Sequence, residues 1–196
     1  MSISVQLESL TTKSRFVTNA YVDENNVPKL VSSELPMPTA DIVALRTFEG
    51  RTFSIGAVRD FSNKLPAGQS LDLAVAWAEG VVPRLTVTGL IGGDAEAFLY
   101  EGATVTGGTA TTAINLNRPS TRVSESAALI QPTVSNTGTL LLKQILTGGV
   151  GKKAGGGEGT TGRLYLKPLT TYLFRITNRD PNNTAHAAEI ILEWYE

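Results

Sequence analysis

Cysteine is absent from this chain of 196 residues, and histidine occurs only once. The first absence excludes disulfides, thiolate metal sites and cysteine nucleophiles. Zinc is normally held by cysteine and histidine, so a zinc site here would have to consist almost entirely of carboxylates. We therefore expect no metal, no cofactor and no enzymatic activity.

An excess of either charge is also missing. The chain has 17 Lys and Arg residues against 18 Asp and Glu residues, which gives a formal net charge of -1. This balance provides no field that attracts nucleic acid or an anionic membrane. No apolar run approaches the roughly 20 residues of a membrane-spanning helix. The first twenty residues also lack the basic and apolar regions of a signal peptide, so we expect neither nucleic acid nor a membrane among the partners.

What the sequence does contain is alternation with a period of two, which is typical of strands with one buried face. Two such runs follow each other near the end of the sequence. The first places three apolar side chains on one face: Tyr172, Phe174 and Ile176. The second places four on one face: Ala188, Ile190, Leu192 and Trp194. Residues 178–183 between them are rich in turn formers, so the two runs predict a β-hairpin.

Short strand-like runs, separated by turn residues, also fill the middle of the chain. They are Ile42–Thr47, Thr52–Val58, Ser70–Trp77, Arg84–Ile91, Ala95–Tyr100, Thr109–Leu116 and Thr139–Leu146. Glu49, Gly50 and Arg51 predict a hairpin turn between the first two runs, and Ser124–Ile130 is compatible with one short helical turn. Because the crossover helices of a parallel sheet are missing, the pattern predicts an all-β, antiparallel β-sandwich with a jelly-roll-like architecture.

Residues 1–41 differ from the rest of the chain, with a polar cluster at 23–26 and three prolines. Pro36, Met37 and Pro38 favour an extended backbone, and we include them among the candidate interface residues. Two interpretations stay open for this region: an extended N-terminal arm or adaptor segment that packs partly on a neighbour, or the first strand or two of the same domain. We assign residues 42–196 to the β-sandwich domain, with an exposed glycine-rich loop at 148–162.

Motifs that would carry chemistry are weak. Gly151 and Lys152 resemble the end of a phosphate-binding loop, but Leu146 and Lys153 break the required pattern. The oxygen-rich segments 23–26 and 180–183 do not match a calcium-binding loop and occur where turns are needed. His186 lies at the start of a strand with no group to orient it, so we interpret it as a surface histidine.

The aromatic residues divide into two groups by their phase in the strands. Trp77 and Trp194 share a face with leucines and valines, which predicts that they lie in the core. Tyr100, Tyr165 and Tyr195 are out of phase with their apolar neighbours, so we expect them to be exposed. Exposed aromatics on a strand face indicate a protein interface more often than a glycan site, and the three tyrosines complete the candidate interface.

Several segments, taken in order, resemble a known family. They are residues 164–178 (LYLKPLTTYLFRITN), 192–196 (LEWYE), 97–102 (AFLYEG), 115–118 (NLNR) and 132–141 (PTVSNTGTLL). This pattern is similar to small virion proteins of tailed bacteriophages, described as head decoration, head-fibre or collar components. The resemblance spans roughly residues 44–196 and implies a non-enzymatic β-sandwich that assembles as a symmetric oligomer. It supplies no catalytic residues.

Three functions are compatible with these features. The first is a virion structural protein, made in the host cytoplasm, that forms a homotrimer or larger ring on major capsid, portal or neck proteins. The second is a glycan- or receptor-binding β-sandwich module. The third, a hydrolase, ranks last because Glu189 and Glu193 on one strand lie about 13 Å apart at 3.3 Å per residue, which is too far for paired carboxylates in glycoside hydrolysis.

Overall fold

The computed structural model describes residues 3–7, 16–22, 28–30, 42–147 and 164–196. The chain divides into two compact units, Met1–Asp41 and Ile42–Glu196. Pro36, Met37 and Pro38, like the predicted glycine-rich loop, lie outside the described residues. The first unit contains an antiparallel sheet with the strand order β1-β2-β3. Its strands are β1 (Ile3–Leu7), β2 (Phe16–Val22) and β3 (Pro28–Leu30).

In the described residues of the second unit there is one short helix, α1 (Ile42–Phe48), and every other regular element is a strand. The strands are β4 (Thr52–Arg59), β5 (Ser70–Trp77), β6 (Arg84–Ile91), β7 (Ala95–Glu101), β8 (Thr104–Thr106), β9 (Thr109–Thr111), β10 (Ile114–Asn115), β11 (Ser126–Ile130), β12 (Thr133–Asn136), β13 (Thr139–Leu146), β14 (Leu164–Tyr165), β15 (Tyr172–Asn178) and β16 (Ala188–Tyr195).

Two antiparallel sheets enclose the core of this unit. The five-stranded sheet has the order β10-β4-β16-β6-β14, and the six-stranded sheet has the order β13-β7-β15-β5-β11-β9. Alternate residues of both sheets meet in one buried apolar cluster, as expected when two sheets pack face to face. The predicted all-β, antiparallel β-sandwich is therefore confirmed.

Aromatic rings form the centre of the core. Trp77 of β5 and Trp194 of β16 meet edge to face with ring centroids 5.5 Å apart, and both are almost fully buried. Phe53 and Tyr172 extend the row, at 6.1 Å from Trp194 and 6.2 Å from Trp77 respectively. The predicted core positions of the two tryptophans are confirmed.

A small two-stranded sheet, β12-β8, belongs to the same unit. Its Val105 and Val134 pack on a second buried cluster built from Ala74 and Leu173, which point away from the main core. On the same outer face Arg175 makes a two-pronged ion pair with Asp72, with both N–O distances 2.7 Å. Both faces of β5 and β15 are therefore covered, which explains why nearly every residue of β15 is buried.

The predicted terminal hairpin is wrong. β15 pairs with β5 and β7 in the six-stranded sheet, whereas β16 pairs with β4 and β6 in the five-stranded sheet. Residues 179–187 therefore carry the chain across the end of the sandwich, a connection that we call the terminal arch. The apolar faces of the two strands were assigned correctly, but they face each other across the core.

Three local predictions are also wrong. Residues 42–47 belong to helix α1, and Gly50, at a φ of 69°, ends that helix. The amides of Gly50 and Arg51 donate to the carbonyls of Thr47 and Arg46, which is a Schellman cap and not a hairpin turn. Ser126–Ile130 is strand β11 and not a helical turn, because it pairs with β5 and β9. The run 109–116 splits into β9 and β10, which lie in different sheets.

Candidate binding surfaces

One surface lies on the outer face of the five-stranded sheet. Tyr165, Arg84 and Tyr195 stand side by side across β14, β6 and β16, because these residues are paired in the sheet register. The guanidinium carbon of Arg84 lies 5.7 Å from the ring centroid of Tyr165 and 5.6 Å from that of Tyr195. Arg84 Nη1 donates a 2.6 Å hydrogen bond to the Tyr195 hydroxyl. We call these three residues the Arg84 cluster.

The Arg84 cluster is held in place by cation–π attraction on both sides of one guanidinium. The hydrogen bond to Tyr195 raises the pKa of Arg84 further above its usual value, so the charge is permanent. Tyr195 is half-buried, whereas Tyr165 leaves 67% of its surface exposed. The cluster therefore presents a fixed positive charge beside an open aromatic ring.

A pocket of about 110 Å³ adjoins the Arg84 cluster, between the sheet and helix α1. Thr47, Thr52, Thr86 and Glu193 line it. The hydroxyls of Thr47 and Thr52 lie 3.0 Å apart in a hydrogen bond, whereas Thr86 and Glu193 are exposed. Val43 and Leu116 add apolar surface. The arrangement combines one cation, one anion, several hydroxyls and small apolar contacts, which is a set of groups suited to a polar ligand with a few apolar substituents.

Tyr100 lies on the opposite sheet. It sits on the outer face of the six-stranded sheet, where its ring stacks on Phe98 with centroids 5.7 Å apart. It also packs against the second buried cluster beside Leu173, and is half-buried. The structure therefore brings Tyr165 and Tyr195 together and keeps Tyr100 apart from them.

A third feature is β13, which forms one edge of the six-stranded sheet. At eight residues it is the longest edge strand in the described part of the chain. Four large apolar side chains are exposed along it: Leu140, Leu141, Leu142 and Ile145. Soluble proteins usually protect sheet edges by keeping them short or charged, and the other edges of this sandwich are only two or three residues long.

The charges next to β13 are already compensated. Glu96 of β7 accepts from Lys143 at 2.5 Å and from Arg179 at 2.7 Å, and Lys143 also lies over the Phe98 ring. These two contacts hold the pKa of Glu96 below its usual value, and the hydrogen bond from Lys143 has the larger effect. Apart from Thr139 and Gln144, which are polar but uncharged, the remaining residues of the strand are apolar, so β13 carries no uncompensated charge that would repel a second apolar strand.

The single histidine lies in the terminal arch. His186 Nε2 is 2.5 Å from Asp180 Oδ2, and the imidazole packs against Gly92 and Gly93, where a larger residue at 93 would collide with it. The sequence-based interpretation of an unoriented surface histidine is therefore wrong, since Asp180 orients the ring and only 19% of the side chain is exposed.

The surroundings of His186 do not form a catalytic triad. Among the described residues the imidazole hydrogen-bonds only with Asp180, so it has no serine or threonine hydroxyl to activate. His186, Arg59, Lys64 and the exposed Phe61 line an open cavity of about 480 Å³. The hydrogen bond to His186 holds the pKa of Asp180 below its usual value, and the pair joins the two ends of the arch.

Other chemistries find little support in the described residues. They contain no group of three or more potential metal ligands, and none of their helices is long and apolar enough to cross a membrane. Glu189 and Glu193 lie on β16, four residues and therefore two full alternations apart. Gly151, Lys152 and Lys153 lie outside the described ranges.

Sequence reasoning found Tyr165 and Tyr195 but missed Arg84. The only signal was its position two residues before Thr86 on an alternating strand, which places both side chains on the outer face. The pairing of three non-consecutive strands, which sets the tyrosines on either side of Arg84, leaves no mark in the local sequence. Compared with protein families, characterised proteins and solved structures, the chain matches none of them.

Proposed function

We propose that this protein is a non-enzymatic structural component of a tailed-phage virion that associates with copies of itself. The observation that carries the proposal is the long apolar edge strand β13. Every second backbone amide and carbonyl of an edge strand points away from its sheet, and these groups bind another strand when one is supplied. Pairing would also cover Leu141 and Ile145, which are 45% and 71% exposed.

The strand order supports this proposal. Eight strands, β4–β7 and β13–β16, pair in a nested order. β4 pairs with β16, and β5 pairs with β15. β6 likewise pairs with β14, and β7 pairs with β13. We interpret this nesting as a jelly roll, a fold that occurs in viral capsid and lectin domains. Fold alone does not fix function; β13 and the resemblance of the sequence to phage virion proteins support this one.

The assembly can be tested by light scattering after size-exclusion chromatography. We expect the wild-type protein to have a mass of two or more times the 20.8 kDa of one chain. Ile145→Lys should shift it towards the monomer, because a buried unpaired ammonium is costly. Val123→Lys is the matched control, since Val123 is 69% exposed but lies outside β13. A wild-type monomer at high concentration, or equal effects of the two variants, would contradict assembly through β13.

The location on the virion needs a separate measurement. Electron micrographs of virions produced with and without this protein should differ at the head surface, the vertices or the neck. Full-length protein added back to the deficient particles should restore the missing density, with its partners among the major capsid, portal or neck proteins. Identical particles in both preparations would rule out a structural role there.

A glycan- or receptor-binding module is the second candidate function. The Arg84 cluster favours it, because a tyrosine ring that is 67% exposed beside a hydroxyl-lined pocket provides a surface for a sugar. A glycan array probed with wild-type protein and with Tyr165→Ala would test it. Binding that is lost in the variant supports the module, and a blank array with the wild-type protein refutes it.

A further inference from the structure

The guanidinium of Arg84 is fixed but not neutralised. Elsewhere in the sandwich a partly buried arginine meets a carboxylate, as Arg175 does with Asp72. Arg84 instead has two aromatic neighbours and the neutral hydroxyl of Tyr195, and it makes no ion pair within the described residues. Within the described ranges its Nε and Nη2 groups make no hydrogen bond, and they lie in the planar arrangement that matches a carboxylate.

The pocket beside Arg84 limits the size and charge of a ligand. Its volume of about 110 Å³ is small beside the roughly 300–1,000 Å³ of pockets that enclose a whole ligand. It therefore accommodates a substituent and not a whole sugar ring. Arg84 is the one cationic side chain that lines it among the described residues, which suits a singly charged carboxylate better than a doubly charged phosphate.

We propose that the Arg84 cluster binds a carboxylated sugar, an inference that rests on the second candidate function. The carboxylate would pair with Arg84, and a face of the sugar ring would lie on the exposed ring of Tyr165. A small substituent would enter the pocket between Val43 and Leu116. The exposed hydroxyl of Thr86 and the carboxylate of Glu193 would meet the sugar hydroxyls. A peptide with a free C-terminus would use Arg84 but would make no use of Thr86 and Glu193.

The test is a titration of the full-length protein followed by amide chemical shifts. The probes are the methyl glycosides of N-acetylneuraminic acid and glucuronic acid, with methyl glucoside as the uncharged sugar. Sodium acetate and a short peptide with a free C-terminus serve as carboxylates without a sugar. We expect the acidic glycosides to shift amides of β6, β14 and β16, and to bind at least about tenfold more tightly than the other three, the scale of one charged hydrogen bond.

Variants locate the site. Arg84→Gln should weaken binding of the acidic glycosides about tenfold, and Tyr165→Ala should weaken it without altering the fold because that ring is exposed. Arg118→Gln, at an exposed arginine outside the cluster, should bind as the wild type does. If Arg84→Gln fails to fold, Tyr165→Ala alone decides the matter.

Each contrary result has a distinct meaning. Acetate that binds as tightly as the acidic glycosides would reduce the site to a simple anion site and overturn the inference. A peptide that binds more tightly than the sugars would also overturn it. Methyl glucoside that binds independently of Arg84 would overturn the acidic preference but leave the glycan module standing. If no sugar shifts any amide, the inference and the second candidate function both fail.

Discussion

Replacement of Asn178 should weaken the whole sandwich. Asn178 ends β15, is fully buried, and holds the terminal arch through three hydrogen bonds. Its Nδ2 donates to the carbonyls of Leu65 and Thr184, both at 2.9 Å, and its Oδ1 accepts from the amide of Asp180 at 3.0 Å. In Asn178→Ala the Leu65 carbonyl keeps its bond from the His186 amide, so two backbone groups lose their partner.

The expected loss follows from these contacts. A net contribution of about 1 kcal/mol for each of three hydrogen bonds predicts that Asn178→Ala lowers the free energy of unfolding by about 3 kcal/mol. Asn178→Asp should lower it further, because a carboxylate would then face two carbonyl oxygens in a buried position. Both changes leave the strand pairs of β15 intact, so the folded state should keep its far-ultraviolet circular dichroism.

Urea denaturation, followed by circular dichroism and tryptophan fluorescence, measures the effect. Asn63→Ala is the matched control, because Asn63 is exposed and its side chain should contribute less than about 0.5 kcal/mol. A hydrogen bond contributes about 1 kcal/mol. If Asn178→Ala lowers the free energy of unfolding by less than that, the side chain does not stabilise the arch through three hydrogen bonds.

Three further predictions concern the arch, the core and a turn. Asp180→Asn should reduce acid sensitivity: the hydrogen bond from His186 lowers the pKa of Asp180 from 3.8, so its contribution is complete above that pH and is lost as the pH falls towards the lowered value. Urea midpoints at pH 7 and pH 3 measure this. Trp194→Ala should cost about 3–5 kcal/mol in urea denaturation, since it removes a large buried ring. Gly138→Ala should lower the melting temperature more than Gly80→Ala, because both glycines have φ near 80° but only at Gly138 would the new methyl group collide with backbone.

Contrary outcomes are equally specific. If the urea midpoint falls equally between pH 7 and pH 3 in the wild type and in Asp180→Asn, Asp180 does not contribute to acid unfolding. A cost below about 1 kcal/mol for Trp194→Ala, far under the usual range for a core aromatic, would contradict its central position. Equal shifts for the two glycine variants would show that the backbone near residue 138 moves to make room.

Alternation predicted which side chains are buried far better than which strands are neighbours. The faces of β5 and β16 are as expected, with Trp77 and Trp194 in the core. The same pattern did not reveal that β15 and β16 belong to different sheets. A period of two records which face meets the core, and that face is the same whether two strands lie side by side or opposite each other.

Local propensity failed where tertiary contacts decide the backbone. The β-branched residues of α1 favour a strand, yet the chain there is a helix that contacts β4 and β16. Gly50 was the available signal, since a glycine just beyond a short run also fits a helix cap. β11 is a strand because it has partners on both sides, which propensity cannot anticipate.

The Arg84 cluster could be predicted only in part. Exposure of Tyr165 follows from its phase, and its 67% exposed surface agrees with that. The proximity of Tyr165 to Tyr195 depends on β6 lying between β14 and β16, a pairing that joins distant parts of the chain. His186 was misjudged for the same reason, because the arch that brings Asp180 to it was expected to be a tight turn.

The central position of β16 also constrains how the protein is made. β16 lies between β4 and β6, so Thr52 has no partner on that side until Tyr195 has left the ribosome. Pairing over such sequence distances is slow, and the first half of the sandwich must wait with apolar strands uncovered while translation continues. Folding of this domain therefore cannot be completed before β16 has been synthesised, and the waiting chain is the species that chaperones and aggregation compete for.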